Sequence, residues 1–207
     1  MKLIWHGHAC FEVITKEGSL VLDPYSDGSV PGLAPLSLSA DAVLCSHGHR
    51  DHNYRDGVHL SGKPCGIAVS HLDTWHDDVQ GAMRGPNRIH ILKAEGLTAV
   101  HLGDLGCALT PAELAQLKNP DVLMIPIGGH YTIDSAQAAG IIEQMEPRVV
   151  IPMHYRGKAA DGRSFGYDVI STAEMFRKAC RNPVDYEGNE LDVDGDTVRQ
   201  TAFLSVI

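Results

Sequence analysis

The segment SHGHRDHN, residues 46–53, sets His47, His49, Asp51 and His52 within six consecutive positions, and few folds can carry such a string except as a built site. Neutral imidazoles and carboxylates are the ligands that suit zinc and similar divalent first-row ions. The alternate spacing lets His47 and His49 face one cation while Asp51 and His52 turn toward another. The plain alternative is a polar surface loop that happens to be rich in histidine. Against it stands DAVLC, residues 41–45, which reads as a short buried strand feeding directly into the string. A strand that delivers ligands to a loop is how a scaffold positions a site.

Other short strands surround this one. Residues 2–5, 11–15 and 20–23 read as a meander with a tight Glu17-Gly18 turn, and 42–45, 66–70, 88–92 and 97–101 continue the pattern. Thr110-Pro111 opens a helix to residue 118, with Thr110 as cap, Pro111 at the first helical position and Glu113 three residues after the cap. From there the chain alternates: strand 122–126, helix 135–145, strand 149–151, helix 172–180 and strand 198–204. Ala138, Ile141, Ile142 and Met145 fall on one face of the second helix and read as core. Strand-rich halves with helices outside the sheets give an α/β class, a four-layer αββα sandwich.

At 207 residues, with no Pro/Gly/Ser-rich linker, residues 1–207 are expected to form a single domain. Lys and Arg number 17 against 26 Asp and Glu, a net charge of −9, and the basic residues are scattered. That argues against a nucleic-acid surface and a polybasic membrane anchor. The opening MKLIWHGH is too short an apolar run for a signal-peptide core, and no later segment approaches a membrane span, so a cytoplasmic protein is expected. Cys10, Cys45, Cys65, Cys107 and Cys180 are odd in number and widely spaced, which suits reduced thiols rather than a disulfide framework.

The string fits the pattern HxHxDH. Together with WHGHACFEV (5–13), LDP (22–24), HDD (76–78), HLGDLG (101–106), PIGGHYTID (126–134) and PMHY (152–155), it makes the chain resemble the metallo-β-lactamase superfamily. Within it, the resemblance is to the branch of small single-domain metal-dependent hydrolases related to ascorbate-6-phosphate lactonases. It runs along nearly the whole sequence and implies the αββα fold, a metal site and hydrolysis. It names no substrate.

His47 and His49 need a third ligand, and His71 and His76 in SHLDTWHDD compete for the place. The HDD that His76 opens resembles the family's third-ligand segment, so His76 is expected. Asp104 is the natural bridge, because one short carboxylate can hold two cations about 3.5–4 Å apart; His101, inside the preceding strand, is its rival. His154 follows the 149–151 strand, whose pairing Pro152 is expected to end. Site one is then His47, His49, His76 and Asp104, and site two Asp51, His52, Asp104 and His154. The expected cofactor is two divalent ions, Zn2+ first, with Mn2+ or Fe2+ open.

Asp23, before Pro24, is the leading candidate to orient an imidazole, since a ligating His donates its other ring proton to a carboxylate or carbonyl. His8, in the family-like GHA segment, is a second. His130, Tyr131, Tyr155 and Arg156 are candidate substrate contacts, with Arg84 a weaker one, because a guanidinium offers a fork to an oxyanion. His59 and His90 read as structural, and His6 has no account.

The expected reaction is metal-assisted hydrolysis in which two cations share and activate a water, with Asp51 able to take its proton and Asp104 bridging. A small-molecule ester or lactone is the first substrate class and a small phosphodiester the second. A nuclease would need an RNA-binding arm and a flavodiiron protein a flavin domain. A non-catalytic metal-binding or regulatory protein is the rival outside the enzymes, and it would be expected to have lost ligands. A homo-oligomer is open.

Overall fold

In β1 (Lys2–Gly7) Leu3, Trp5 and Gly7 are buried and the residues between them are partly exposed, the period-two pattern of a strand with one face on a core. The computed structural model describes residues 1–207. β2 (Cys10–Thr15) pairs antiparallel with β1, and β3 (Gly18–Leu22) with β2. β4 (Leu38–Ala40) and β6 (Val58–Leu60) form a small parallel pair, while β5 (Ala42–Leu44), the strand that feeds the histidine string, runs parallel to β3. β7 (Ala68–Trp75), β8 (Pro86–Ala94) and β9 (Leu97–His101) form an antiparallel run.

Next come β10 (Val122–Pro126) and β11 (Val149–Met153), parallel to each other and buried at every residue. Continuous apolar runs of this kind belong to strands covered on both faces. β12 (Gly157–Lys158) and β13 (Ser164–Phe165) make a short hairpin. β14 (Pro183–Asp185), β15 (Glu190–Asp192) and β16 (Gln200–Phe203) complete the sheets. The first sheet has the order β15-β1-β2-β3-β5 and the second β14-β16-β11-β10-β9-β8-β7.

The two sheets share one apolar core. Trp5 of the first meets Tyr155 and Phe165 from the second half of the chain, with ring centroids 5.5 Å apart for Trp5 and Tyr155, and Phe11 meets His101 of β9. The helices are α1 (Pro111–Gln116), α2 (Ser135–Met145) and α3 (Glu174–Ala179). α1 has the expected capping box of Thr110 and Glu113, and α2 an equivalent one of Asp134 and Gln137. All three follow residue 110 and gather with the seven-stranded sheet: Ser135 bonds to the Ile127 carbonyl, and Phe176 packs on Phe203. The result is an α/β sandwich. No helix is long and apolar enough to cross a membrane.

Two readings of the sequence need correction. Pro152 does not end its strand but lies inside β11 opposite Ile125, because β16 pairs with β11 only at Val149 and Val150, so the missing N–H falls past that ladder. The 66–70 strand runs on to Trp75, since β7 is an edge and pairs with β8 along its whole length, so the polar residues of SHLD can face water.

Candidate metal centre

Every ligand candidate leaves the same end of the two sheets. His8 lies between β1 and β2, Asp23 follows β3, the 47–52 string follows β5, His76 follows β7, Asp104 follows β9, and His154 follows β11. The sandwich therefore converges residues that are far apart in sequence.

Asp104 sits at the centre, nearly fully buried. Its Oδ2 lies 3.2 Å from His52 Nε2, 3.3 Å from His76 Nε2, 3.1 Å from His154 Nε2 and 3.9 Å from His47 Nε2. One group of ligand atoms, from His47, His49 and His76, closes to within 4.8 Å, and a second does so from His8, His52 and His154. Asp51 Oδ2 joins the second, 3.9 Å from His52 Nε2 and 3.4 Å from His8 Nε2. These atoms fit divalent cations on their own chemistry. Buried His47 Nε2, His52 Nε2 and Asp104 Oδ1 have no hydrogen-bond partner in the protein, an arrangement that is costly unless something else satisfies it.

The opposite ring nitrogens are held. Asp23, fully buried, accepts from the Ser46 N–H at 2.6 Å and its hydroxyl at 2.5 Å, and lies 2.9 Å from His52 Nδ1. His76 Nδ1 is 3.2 Å from the Tyr131 carbonyl, and His47 Nδ1 is 2.9 Å from Ser46 Oγ. Such contacts fix the tautomer and aim Nε2 inward. His8, Asp23, His130, Tyr131 and His154 all have positive φ, a conformation that costs most non-glycine residues energy.

The electrostatics follow from burial and crowding. Burial lowers the pKa of His47 to about 3 and, with the neighbouring His154, that of His8 to about 4. Burial opposes a charge on His52 too, but Asp104 and Asp23 on either side overcome it and push its pKa well up. For Asp104, burial is outweighed by His154 and His52, which hold its carboxyl well below the usual range. A proton on His52 thus stands where a cation would otherwise balance the carboxylates.

His76, rather than His71, is gathered with His47 and His49; His71 is exposed on β7. His101 is buried, but its Nε2 is 2.9 Å from the Ala9 carbonyl and its Nδ1 accepts from the Gly103 N–H, so neither nitrogen is free to ligate. Asp77 of the HDD segment accepts from the backbone N–H groups of Val79, Gly81, Met83 and Arg84. It thereby shapes the loop that carries Arg84, whose guanidinium lies 4.8 Å over the Tyr131 ring and helps burial lower the pKa of His49. Arg84 and Tyr131 therefore line the rim. His130 is exposed beside Tyr131.

Tyr155 requires correction as a substrate contact: its ring is buried between Trp5 and Phe165, and burial pushes its phenol up. Arg156 is exposed and faces a separate depression with Lys158, Glu174 and Arg177, which no residue of the His/Asp cluster lines. His59 is exposed on β6 and His90 buried in β8. Sequence reading missed three contributors. Tyr167 places its hydroxyl 2.9 Å from Asp51 Oδ2, Ser46 bridges Asp23 and His47, and Asn87 Oδ1 accepts the Asp104 N–H at 2.9 Å. Only Ser46, inside the string, carried any signal.

A sequence profile described as the beta-lactamase superfamily domain matches residues 2–154. Among similar proteins, a UPF0173 metal-dependent hydrolase of Archaeoglobus fulgidus is 31% identical over 75% of this chain and 83% of its own. Another, from Thermoplasma acidophilum, is 29% identical with the same coverage. A crystal structure from Thermotoga maritima, described as a Zn-dependent hydrolase of the metallo-beta-lactamase superfamily, superposes with a TM-score of 0.75 at 27% identity, covering 99% of this chain and 98% of that one.

Proposed function

Since this chain belongs to the beta-lactamase superfamily and is a metal-dependent hydrolase, we propose that it holds two divalent cations, zinc first among them, and hydrolyses an ester- or lactone-type bond of a small molecule. The observation that carries this reading is the meeting of two imidazole groups at one carboxylate oxygen, Asp104 Oδ2. When bound there, divalent ions lower the pKa of a water and polarise a carbonyl or phosphoryl oxygen.

The chain's own residues divide the remaining work. His47, His49 and His76 hold one ion, Asp51, His52 and His154 the other, and Asp104 faces both. Asp23, Ser46 and the Tyr131 carbonyl keep the imidazoles aimed. Burial opposes ionisation of Asp51, but His8 and His52 reverse this and hold its carboxyl well below the usual range. A carboxyl held so low stays ionised and takes up a proton weakly, so in this reading Asp51 faces an ion instead of acting as the base. The rim of Arg84 and Tyr131 suits a substrate with an anionic group, and Arg84 is the observation that favours the second reading, a small phosphodiester.

Elemental analysis of protein purified without an affinity metal, followed by a screen of lactones, esters and phosphodiesters with each candidate ion, tests the reading. About two equivalents and lactone or ester turnover are expected. Less than about half an equivalent after reconstitution would overturn the binuclear centre, and turnover of phosphodiesters alone would move the substrate class.

A further inference from the structure

β7 closes the seven-stranded sheet: β8 pairs with it from Ala68 to Trp75, and no strand meets its other side. The strand is eight residues long with no register break, and it contains neither Pro nor Lys. All but Leu72 and Thr74 are exposed, with Val69 at 44% and Trp75 at 42%. Natural sheets blunt such edges with charges, prolines or bulges, because a long flat edge is a template for another strand. β7 has no proline and no bulge, and the charge of its Asp73 is already paired within the chain to Arg88 of β8 at 2.9 Å.

The sequence of β7 says which strand fits. In antiparallel pairing, opposed residues either both turn their N–H and C=O toward the partner or both turn them away. Two copies of β7 can therefore pair only about a residue that faces itself. Centred on His71, imidazole meets imidazole; centred on Asp73, two carboxylates meet, which is destabilising. Centred on Leu72, His71 meets Asp73, Ser70 meets Thr74 and Val69 meets Trp75, each twice, while Leu72 meets its own copy. Every opposed pair is then complementary in charge, polarity or apolar surface.

We propose that two copies of this chain associate through β7, antiparallel and in register about Leu72, so that the seven-stranded sheets join across a two-fold axis. Val79 and Met83, exposed on the following loop, widen the apolar surface around the contact. His76 follows Trp75 directly and the Trp75 carbonyl accepts from the Gly106 N–H, so this end of the strand is held within the chain and the metal ligands do not depend on the dimer.

The register makes the test specific. Sedimentation equilibrium of the wild-type chain should give a dimer, and Leu72→Lys a monomer with unchanged metal content. Leu72→Cys should form a disulfide-linked dimer under mild oxidant, above the wild-type background, because opposed Cβ atoms lie about 4.5–5.5 Å apart. Ser70→Cys should not, since its own copy would stand about 13 Å along the strand. A wild-type monomer at tens of micromolar, or cross-linking through Ser70→Cys and not Leu72→Cys, would overturn the proposal.

Discussion

The Tyr167 hydroxyl stands 2.9 Å from Asp51 Oδ2 and 2.6 Å from the Ser29 carbonyl, across 116 residues of chain from the carboxylate it touches. Its single proton serves both acceptors, and the Oδ2 it holds is the oxygen turned toward His8 and His52, so it sets the orientation in which Asp51 meets the second group of imidazoles. Tyr167→Phe removes only the hydroxyl. We expect affinity for the second ion to fall about 10–100-fold, the usual effect of losing a residue that orients a ligand, while the first ion stays. Chelator competition titrations distinguish the two sites, and equal loss of both ions would show that Tyr167 supports the fold instead.

Asp104 should be the substitution that empties the centre. Its Oδ2 faces Nε2 of four imidazoles drawn from both groups, so Asp104→Ala is expected to remove both ions and all hydrolysis. His49→Ala should leave about one equivalent, and His71→Ala about two. Retention of both ions by Asp104→Ala would refute the bridging role, and loss of metal from His71→Ala would reopen the choice of His76.

The sequence made one part of this centre legible and hid another. Residues 41–53 could be read because strand and ligands are contiguous, and Asp104 and His154 because each follows an apolar strand directly. Tyr155 was misread because closeness to a ligand in sequence was taken for closeness in space: His154 turns to the cluster in a left-handed conformation just past β11, and its neighbour lies in the core against Trp5. Tyr167 lies in a loop without periodicity, and Asn87 looks like a turn residue before a strand. What each does depends on contacts the folded chain makes at long range. β7 ran past its expected end because an edge strand tolerates polar residues, a fact about its place in the sheet.

Metal-free protein should be most stable near neutral pH. The folded pKa of His52 is raised above its unfolded value of about 6.5, so its contribution is present below that value and lost as pH rises through the folded pKa. Burial holds His47 at about 3 and His8 and His90 at about 4. These three favour the unfolded chain as pH falls below about 6.5. Thermal midpoints of chelated protein should therefore decline on both sides. Adding zinc should abolish the alkaline decline, because the ion takes the place of the proton on His52. A midpoint that rises steadily to alkaline pH without metal would contradict the buried charge on His52.

Asn87 offers a test of how Asp104 is held. It is fully enclosed; its Oδ1 accepts the Asp104 N–H at 2.9 Å, and its Nδ2 donates to the Leu102 carbonyl at 3.0 Å and to Thr74 Oγ1 at 2.9 Å. Asn87→Ala leaves the Leu102 carbonyl and the Asp104 N–H, both just past β9, without this partner, at a cost of about 1–3 kcal/mol for a group left unsatisfied, and frees the backbone that sets the Asp104 carboxylate. Asn87→Asp keeps the acceptor for the Asp104 N–H but replaces the donor to Leu102 and Thr74 with a second acceptor that carries a buried charge. Both variants should lower the thermal midpoint, but the Ala variant should lose metal affinity more than the Asp variant, since only it releases the loop under Asp104. Equal destabilisation with wild-type metal affinity in Asn87→Ala would mean that the imidazoles alone position the carboxylate.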